Sequence, residues 1–333
     1  MSGHQHRAFL ARMISASVLV AGGAGVPPLA TAAQPAYPTR PIHLVVPFTP
    51  GTTADTLARM LGAKLSERWK VATVPDNKPG ASGIIGTDAV AKAAPDGYTL
   101  LFTATAHGTI GALHKNLPFD TVKSFTPVAL LATSALALCV SSRLPVATLA
   151  EFLEAARKQP GKLEYSSPGI GGPQHLTMEL FKLETGIDLL HVPYKGTAGA
   201  LSDLVAGHVD ASVVSLQSSA QFVNAGKLKM LAVMSEERSP AFPNVPTLKE
   251  LGHRNLVVQT WYGVFAPAGT PAEIVDQLNR ALNELLQLPD VREAFSKQGL
   301  IPAGGPPRRL SDLVALEISR WARVVESAKI NPE

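Results

Sequence analysis

The chain has 333 residues, of which 46% are hydrophobic and 17% charged, with a formal net charge of +4 and one cysteine, Cys139. That length suits two domains of ordinary size, and the composition excludes both bulk disorder and a membrane-spanning protein. The positive balance is too slight to argue for nucleic acid, and the strongest basic cluster, Arg308-Arg309, has no aromatic interleaving, so nucleic acid is not an expected partner.

Residues 1–32 read as a separate object. Arg7 and Arg12, with no acid nearby, precede an apolar and small-residue stretch at 13–24 and an Ala30-Thr31-Ala32 site. The apolar part, about 12 residues, falls short of the roughly 18 to 20 that a spanning helix needs, so a secretory signal cleaved near Ala32 is expected. Its removal takes two charges from the formal +4. An exported protein with one cysteine has no internal disulfide, and the apolar surroundings at 135–140 make Cys139 a packed thiol.

The mature chain opens on a nearly unbroken β-branched run at 42–48, a strand buried on both faces and hence the inside of a parallel sheet. Pro47 and Pro50 stop it, Gly51 turns, Thr52 or Thr53 caps, and Leu57, Leu61, Leu65 and Trp69 mark the buried face of a helix over 54–69. A strand at 72–75, a helix over 81–92 opening through Gly80, Gly83 and Gly86, and a strand at 98–104 complete a βαβαβ order, which implies right-handed crossovers. A long β-like run at 128–142 passes to a second set of units. Thr148 and Glu151 form a capping box for a helix to about 158. Strands at 163–166, 187–192, 209–215 and 228–234 then alternate with helices at 174–185 and 197–206 and one ending near Gly226. A second extended run at 256–267 returns. Thr270-Pro271-Ala272-Glu273 combines a capping box with proline at the first helical position, and Ile274, Leu278, Leu282 and Leu285 form the stripe of that helix. The last helix, over 311–327, carries Leu313, Leu316, Trp321 and Val324 and is expected to pack on the first domain. The fold class is therefore α/β, with two mostly parallel sheets flanked by helices and joined by two crossover strands. The domains are expected at 33–135 with 259–333, and at 136–258.

Motifs for catalysis are missing. There is no Gly-x-Ser-x-Gly, no His-Glu-x-x-His, and nine histidines lack ligand spacing, so no catalytic residue, metal or cofactor is expected. Ser167 with His175 suggests a nucleophile and base, but no nearby carboxylate completes the set. Gly80, Gly83 and Gly86 match neither the dinucleotide fingerprint nor Walker A; close packing and turn geometry compete with ligand contact as their purpose. What remains is a set of helix N-termini at 51–53, 81–83, 169–172 and 196–197. Facing one cleft, their free N–H groups would hold a carboxylate without arginine, with Thr52, Ser82, Thr105, Ser167 and Tyr194 orienting it.

Five ordered blocks, VPFTPGTTAD, NKPGASGIIGTDAVAKAAPDGYTLL, SSPGIGGPQHL, HVPYKGTAGALSDLVAGHVD and WYGVFAPAGTPAEIVDQLN, resemble the extracytoplasmic solute receptors of the tripartite tricarboxylate transporter family, Bordetella uptake gene (Bug) type. The resemblance covers about 37–330. It implies a type II periplasmic-binding-protein (Venus flytrap) fold that closes on a small organic acid, a periplasmic location, membrane transporter subunits as partners, and a monomer. Carried over, the binding residues are Phe48, Pro50, Gly51, Thr52 and Asp55 from the first loop, and Gly80 and Ser82 from the second. The far domain contributes Ser167, Gly169, Gly171, His175, Tyr194, Lys195 and Ser215, and the return crossover Trp261. The chain departs from the family pattern at Gly51-Thr52, where Gly-Gly is common, at Gly171-Gly172, where Gly-Ser is common, and at Val214-Ser215, where Asp-Asn is common; losing that acid argues against an amino-bearing ligand. Asp55 also reads as a first-turn acid complementing the helix dipole, Lys195 as a solvated lysine, and Phe48 and Trp261 as core aromatics. An exported enzyme using the same cleft and a ligand-sensing module for a membrane sensor are the alternative functions.

Overall fold

A computed structural model describes residues 37–330; the expected signal at 1–32 lies outside the described residues. The run that opens the mature chain becomes β1 (Ile42–Val46), with Ile42, Leu44, Val45 and Val46 all buried, as a strand covered on both faces requires. There follow α1 (Thr53–Trp69), β2 (Thr73–Asn77), α2 (Ile84–Ala91), β3 (Thr99–Ala104), α3 (Ala106–Leu113) and the long β4 (Phe125–Ser141). The middle of the chain forms α4 (Leu149–Lys158), β5 (Glu164–Ser167), α5 (Pro173–Thr185), β6 (Leu190–Pro193), α6 (Thr197–Ala206), β7 (Ala211–Ser215), α7 (Leu216–Asn224) and β8 (Leu228–Val233). The return is β9 (Gln259–Pro267), followed by α8 (Ala272–Leu285), α9 (Pro289–Lys297), β10 (Ile301–Pro302) and α10 (Arg308–Ser327).

The strand order is β2-β1-β3-β9-β4-β7-β5-β6, with β8 and β10 also on β4. Parallel pairing is confined to the βαβ units, where β1 joins β2 and β3, and β5 joins β6 and β7. The crossover strands pair antiparallel. β9 lies along β4 from Phe125↔Pro267 to Ala135↔Gln259, and from Leu136 onward β4 pairs with β7 and β8 instead. One strand thus serves two curled sheet regions, here called the near lobe (β1–β3, β9) and the far lobe (β5–β8).

Each lobe has its own core. On the near one, Leu57, Leu61 and Leu65 of α1 and Leu278, Leu282 and Leu285 of α8 pack together over Ile42 and Leu44, the stripes that helical spacing predicts. In the far lobe, Phe152, Leu176, Leu180 and Phe181 pack on Tyr165, Leu136 and Leu138. Cys139 is buried in a third cluster, and burial pushes its thiol up to about 12, which leaves it an inert packing group.

Several details differ from the sequence reading. The capping box at Thr148 forms, with the Glu151 N–H donating to Thr148 Oγ1 at 3.2 Å. The one at Thr270 does not: α8 starts where expected, but the Thr270 hydroxyl donates to the Pro267 carbonyl at 2.8 Å and Pro271 is the N-cap. Residues 81–83 make a separate 3-10 turn ahead of α2. Helices α3 and α9 were not anticipated. Leu316 is exposed, and the buried face of α10 is Leu310, Val314, Glu317, Trp321, Val324 and Val325.

Helix α10 does not keep to one lobe. Its first turns pack with the near-lobe residues Trp261 and Phe265, while Trp321, Val324 and Val325 join the far-lobe core. Between these ends lies Glu317, 1% exposed, whose Oε2 accepts the Trp261 indole N–H at 2.6 Å. Gly108 of α3 lies against it so closely that a built Cβ would stand 2.5 Å from Oε2. Burial pushes the Glu317 carboxyl up to about 7, against the opposing effects of the Trp261 N–H and the Arg320 charge. A carboxyl raised in the folded state stabilises the fold while protonated, and that contribution is lost as pH rises from the ordinary carboxylate range through about 7. Glu317→Gln keeps an acceptor for Trp261 without the charge. It is expected to match the parent near pH 5 and to exceed it by about 2 kcal/mol at pH 8, measured by urea denaturation; an equal or lower stability at pH 8 would refute the assignment.

Candidate functional site

The first loop is built around a carboxylate that faces inward. Thr52 caps α1 by accepting the Asp55 N–H, and Asp55, buried, accepts the Gly51 N–H at 2.9 Å. The same carboxylate accepts Asn77 Nδ2 at 2.9 Å and Arg59 Nε at 3.1 Å. Asn77 donates again to the Phe48 carbonyl at 3.1 Å, and Arg59 donates to Asn77 Oδ1 at 2.8 Å. Burial works to raise the Asp55 pKa, but the bonds from Arg59, Gly51 and Asn77 outweigh it and hold the carboxyl below its ordinary value. Because Asn77 ends β2 and leads into the second loop, this clamp ties the two loops together. The Gly51 N–H is used inside the protein; Gly51 is required for its φ of +85°.

The second loop is strained. Gly80, Ala81, Ser82 and Gly83 have φ of 127°, 46°, 55° and 97°, so two non-glycine residues stand in the left-handed region, where each costs about 1–2 kcal/mol. Gly86 has a packing role: a Cβ there would meet the Lys78 carbonyl at 2.7 Å, so glycine lets α2 lie against the loop. Turn geometry therefore accounts for Gly80 and Gly83, and close packing for Gly86.

These loops face a cavity of about 450 Å³. Its near side is formed by Phe48, Thr49, Thr52, Pro79, Gly80 and Ser82, and its floor by Ala106, Thr109, Ile110 and Leu113 of α3. The far lobe contributes the tip at Ile170–Pro173, where Gly171 sits close enough to Leu113 that a Cβ would be 3.3 Å from its methyl carbons. The third loop is set from behind: the Gly171 N–H donates to His175 Nδ1 at 3.0 Å, and His175 stacks on His191 at 4.0 Å between ring centroids. Burial lowers the pKa of both imidazoles, His191 to about 4, which keeps Nδ1 of His175 available as an acceptor.

Of the residues expected to bind, Phe48, Thr52, Gly80, Ser82 and Gly171 line the cavity. Pro50, Gly51, Asp55, Gly169 and His175 shape its loops from outside the lining. Others are turned to different work. Thr105 Oγ1 accepts the Trp261 backbone N–H at 2.9 Å, and Trp261 itself is 0% exposed with its indole on Glu317, so both belong to the core around Glu317. Ser167 Oγ meets His191 Nε2 at 2.7 Å, not His175, and is fully buried, so the suggested nucleophile–base pair does not form. Tyr194 donates to Asp203 at 2.6 Å, Ser215 caps α7, and Lys195 is exposed away from the cavity lining. Three of the four expected helix N-termini reach the cavity; the one at Gly196-Thr197 does not. The sequence reading missed α3 entirely, although Ala106, Ile110 and Leu113 have helical spacing; Gly108 and Gly111 obscured it. Among the described residues no group of three or more histidine, cysteine or acidic side chains is placed to hold a metal, and no helix is long and apolar enough to cross a membrane.

Asp55→Ala strips an acceptor from three donors and is expected to cost about 2 kcal/mol of stability by chemical denaturation. Asp55→Asn is expected to recover part of it, since one acceptor oxygen remains. No loss in the alanine variant would remove the clamp from the account of the site.

A family model described as tripartite tricarboxylate transporter family receptor matches residues 57–330. A protein of Pseudomonas sp. (strain P51) from the tcbD-tcbE intergenic region is 41% identical over 297 residues, covering 89% of this chain and 88% of that one. Among solved structures, an R. palustris protein with adipate is 37% identical with a TM-score of 0.72, covering 89% of this chain and 100% of its own. MatC from Rhodopseudomonas palustris with bound malate is 34% identical with a TM-score of 0.69, covering 87% and 100%. Two lobes around a shared strand, loops from both that meet at one cavity, and a match over nearly all the described residues lead to one conclusion: the chain belongs to the tripartite tricarboxylate transporter family of solute-binding receptors.

Proposed function

We propose that residues 1–32 direct export and that the mature chain works in the periplasm as a monomeric receptor, capturing a small organic carboxylate between its lobes and delivering it to integral membrane subunits of a tripartite transporter. The observation that carries this reading is the cavity wall: loops preceding α1, α2 and α5 meet there, and no acidic side chain is among the lining residues. A helix N-terminus favours a nearby anion by about 0.3–1 kcal/mol, so three of them bias the cavity toward a carboxylate without any cationic side chain. The cavity volume of about 450 Å³ falls in the range of small-molecule sites.

We place the lobes at 33–135 with 259–333, and at 136–258. The change of β4 partners after Ala135 supports that division, and the end of α10 is shared between the two. Closure then amounts to bending at β4 and β9. Phe48, Thr52, Gly80, Ser82 and Gly171 are the residues assigned to ligand contact, with Asp55 and His175 holding their loops. The Ser167–His191 pair supports no enzymatic reading, since neither residue lines the cavity.

Calorimetry on refolded, ligand-free protein tests the proposal, with adipate and malate, the acids in the two related structures, at the head of a panel of mono-, di- and aromatic acids. One acid is expected to bind one-to-one and, at 100 times its Kd, to stabilise the fold by about 2.7 kcal/mol. No heat and no thermal shift from any acid would overturn it.

A further inference from the structure

The cavity is polar on one side only. Its hydroxyl side chains all come from the near lobe: Thr49, Thr52 and Ser82 line it, and Thr52 already donates inward to the Thr49 carbonyl at 3.0 Å. Thr109, on the floor, likewise donates to the Ala106 carbonyl at 3.2 Å. The far side of the cavity has no side-chain donor. Ile170, Gly171, Gly172 and Pro173 are its far-lobe contribution, and the Gly171 N–H is taken by His175. Across from that tip stand Ile110 and Leu113, and Ile170 is 72% exposed, a large apolar side chain at a cavity edge with nothing over it.

Charge follows the same division. No lysine, arginine, aspartate or glutamate is among the lining residues, and His114 is the single titratable side chain there. Two nearby cations are engaged elsewhere, Arg59 on Asp55 and Asn77, and Lys78 on Asp76 at 3.4 Å, and Lys115, next to His114, is exposed outside the lining. Taking the carboxylate reading as given, we infer that this receptor selects acids with one carboxylate and an apolar body, the charge held by the near-lobe loops and the hydrocarbon by Ile110, Leu113 and Ile170. A second carboxylate placed against that wall would lose its water and meet no cationic side chain, only the partial charge at the start of α5, whereas each methylene placed there gains by leaving water.

Hexanoate and adipate separate the possibilities, since they share six carbons and differ in one carboxylate. On the refolded full-length mature chain at pH 7.5, hexanoate is expected to bind at least tenfold tighter than adipate, with malate and citrate weaker still. Adipate or malate binding as tightly as hexanoate would overturn the inference and leave the carboxylate receptor standing; absence of binding by every acid would end both. Ile170 is exposed, so its variants are expected to fold. Ile170→Ser should weaken hexanoate about fivefold or more and adipate less than twofold, and Ile170→Lys should narrow or invert the preference by supplying the missing cation. An unchanged hexanoate-to-adipate ratio in both variants would also overturn it.

Discussion

Everything in this molecule depends on a backbone ladder that one strand cannot leave. β4 is buried along most of its 17 residues, and a buried peptide group without a partner costs roughly 1–3 kcal/mol. Its first part must therefore be paired by β9 and its second by β7 and β8, so the chain is forced to come back through the same seam after building the far lobe. The two lobes are tied by this requirement as well as by the side chains of α10 that enter both cores.

The second consequence concerns charge. A receptor for anions is expected to carry cations in its site, yet the ionised groups near the cavity face each other inside the loops. Asp55 is negative so that Gly51, Asn77 and Arg59 have something to bind, and its net effect is the loop's shape. In the reading proposed above, the helix N-termini around the cavity would favour an anion through dipoles, with little long-range attraction. Left-handed residues at Ala81 and Ser82 fit the same pattern, since strain held by a surrounding clamp marks a loop whose geometry matters more than its cost.

The sequence disclosed the architecture well because the fold's periodic signals are strong. β1, α1 and α8 bury the residues that their spacing predicts, and the long apolar runs at 128–142 and 256–267 became the crossover strands with only their ends displaced. The site was less legible. Residues whose type suggested contact, Trp261, Tyr194 and Ser215, are bonded elsewhere, because a hydroxyl or indole is satisfied by whatever partner folding brings near, and Lys195 is exposed. Conversely Ile110, Leu113 and Ile170 carry no functional signature, and a short helix with two glycines offers little periodicity to detect. Local pattern predicts which face is buried; which buried face encloses a void is settled by the meeting of distant segments.

Helix α10 shows how motion is constrained in such an arrangement. Its Trp321, Val324 and Val325 are part of the far-lobe core, while Leu310 and Val314 belong to a near-lobe cluster, so the bending proposed at β4 and β9 would have to be accommodated along one continuous helix. Glu317 lies at the middle of that span, against the cavity-floor helix through Gly108 and against the hinge strand through Trp261. Burial raises its carboxyl toward neutrality, and ionising it places a charge where the Trp261 indole N–H is its hydrogen-bond donor. Stability around Glu317 is therefore linked to pH, because burial there is the main cause of the shift and any opening that admits water relieves it.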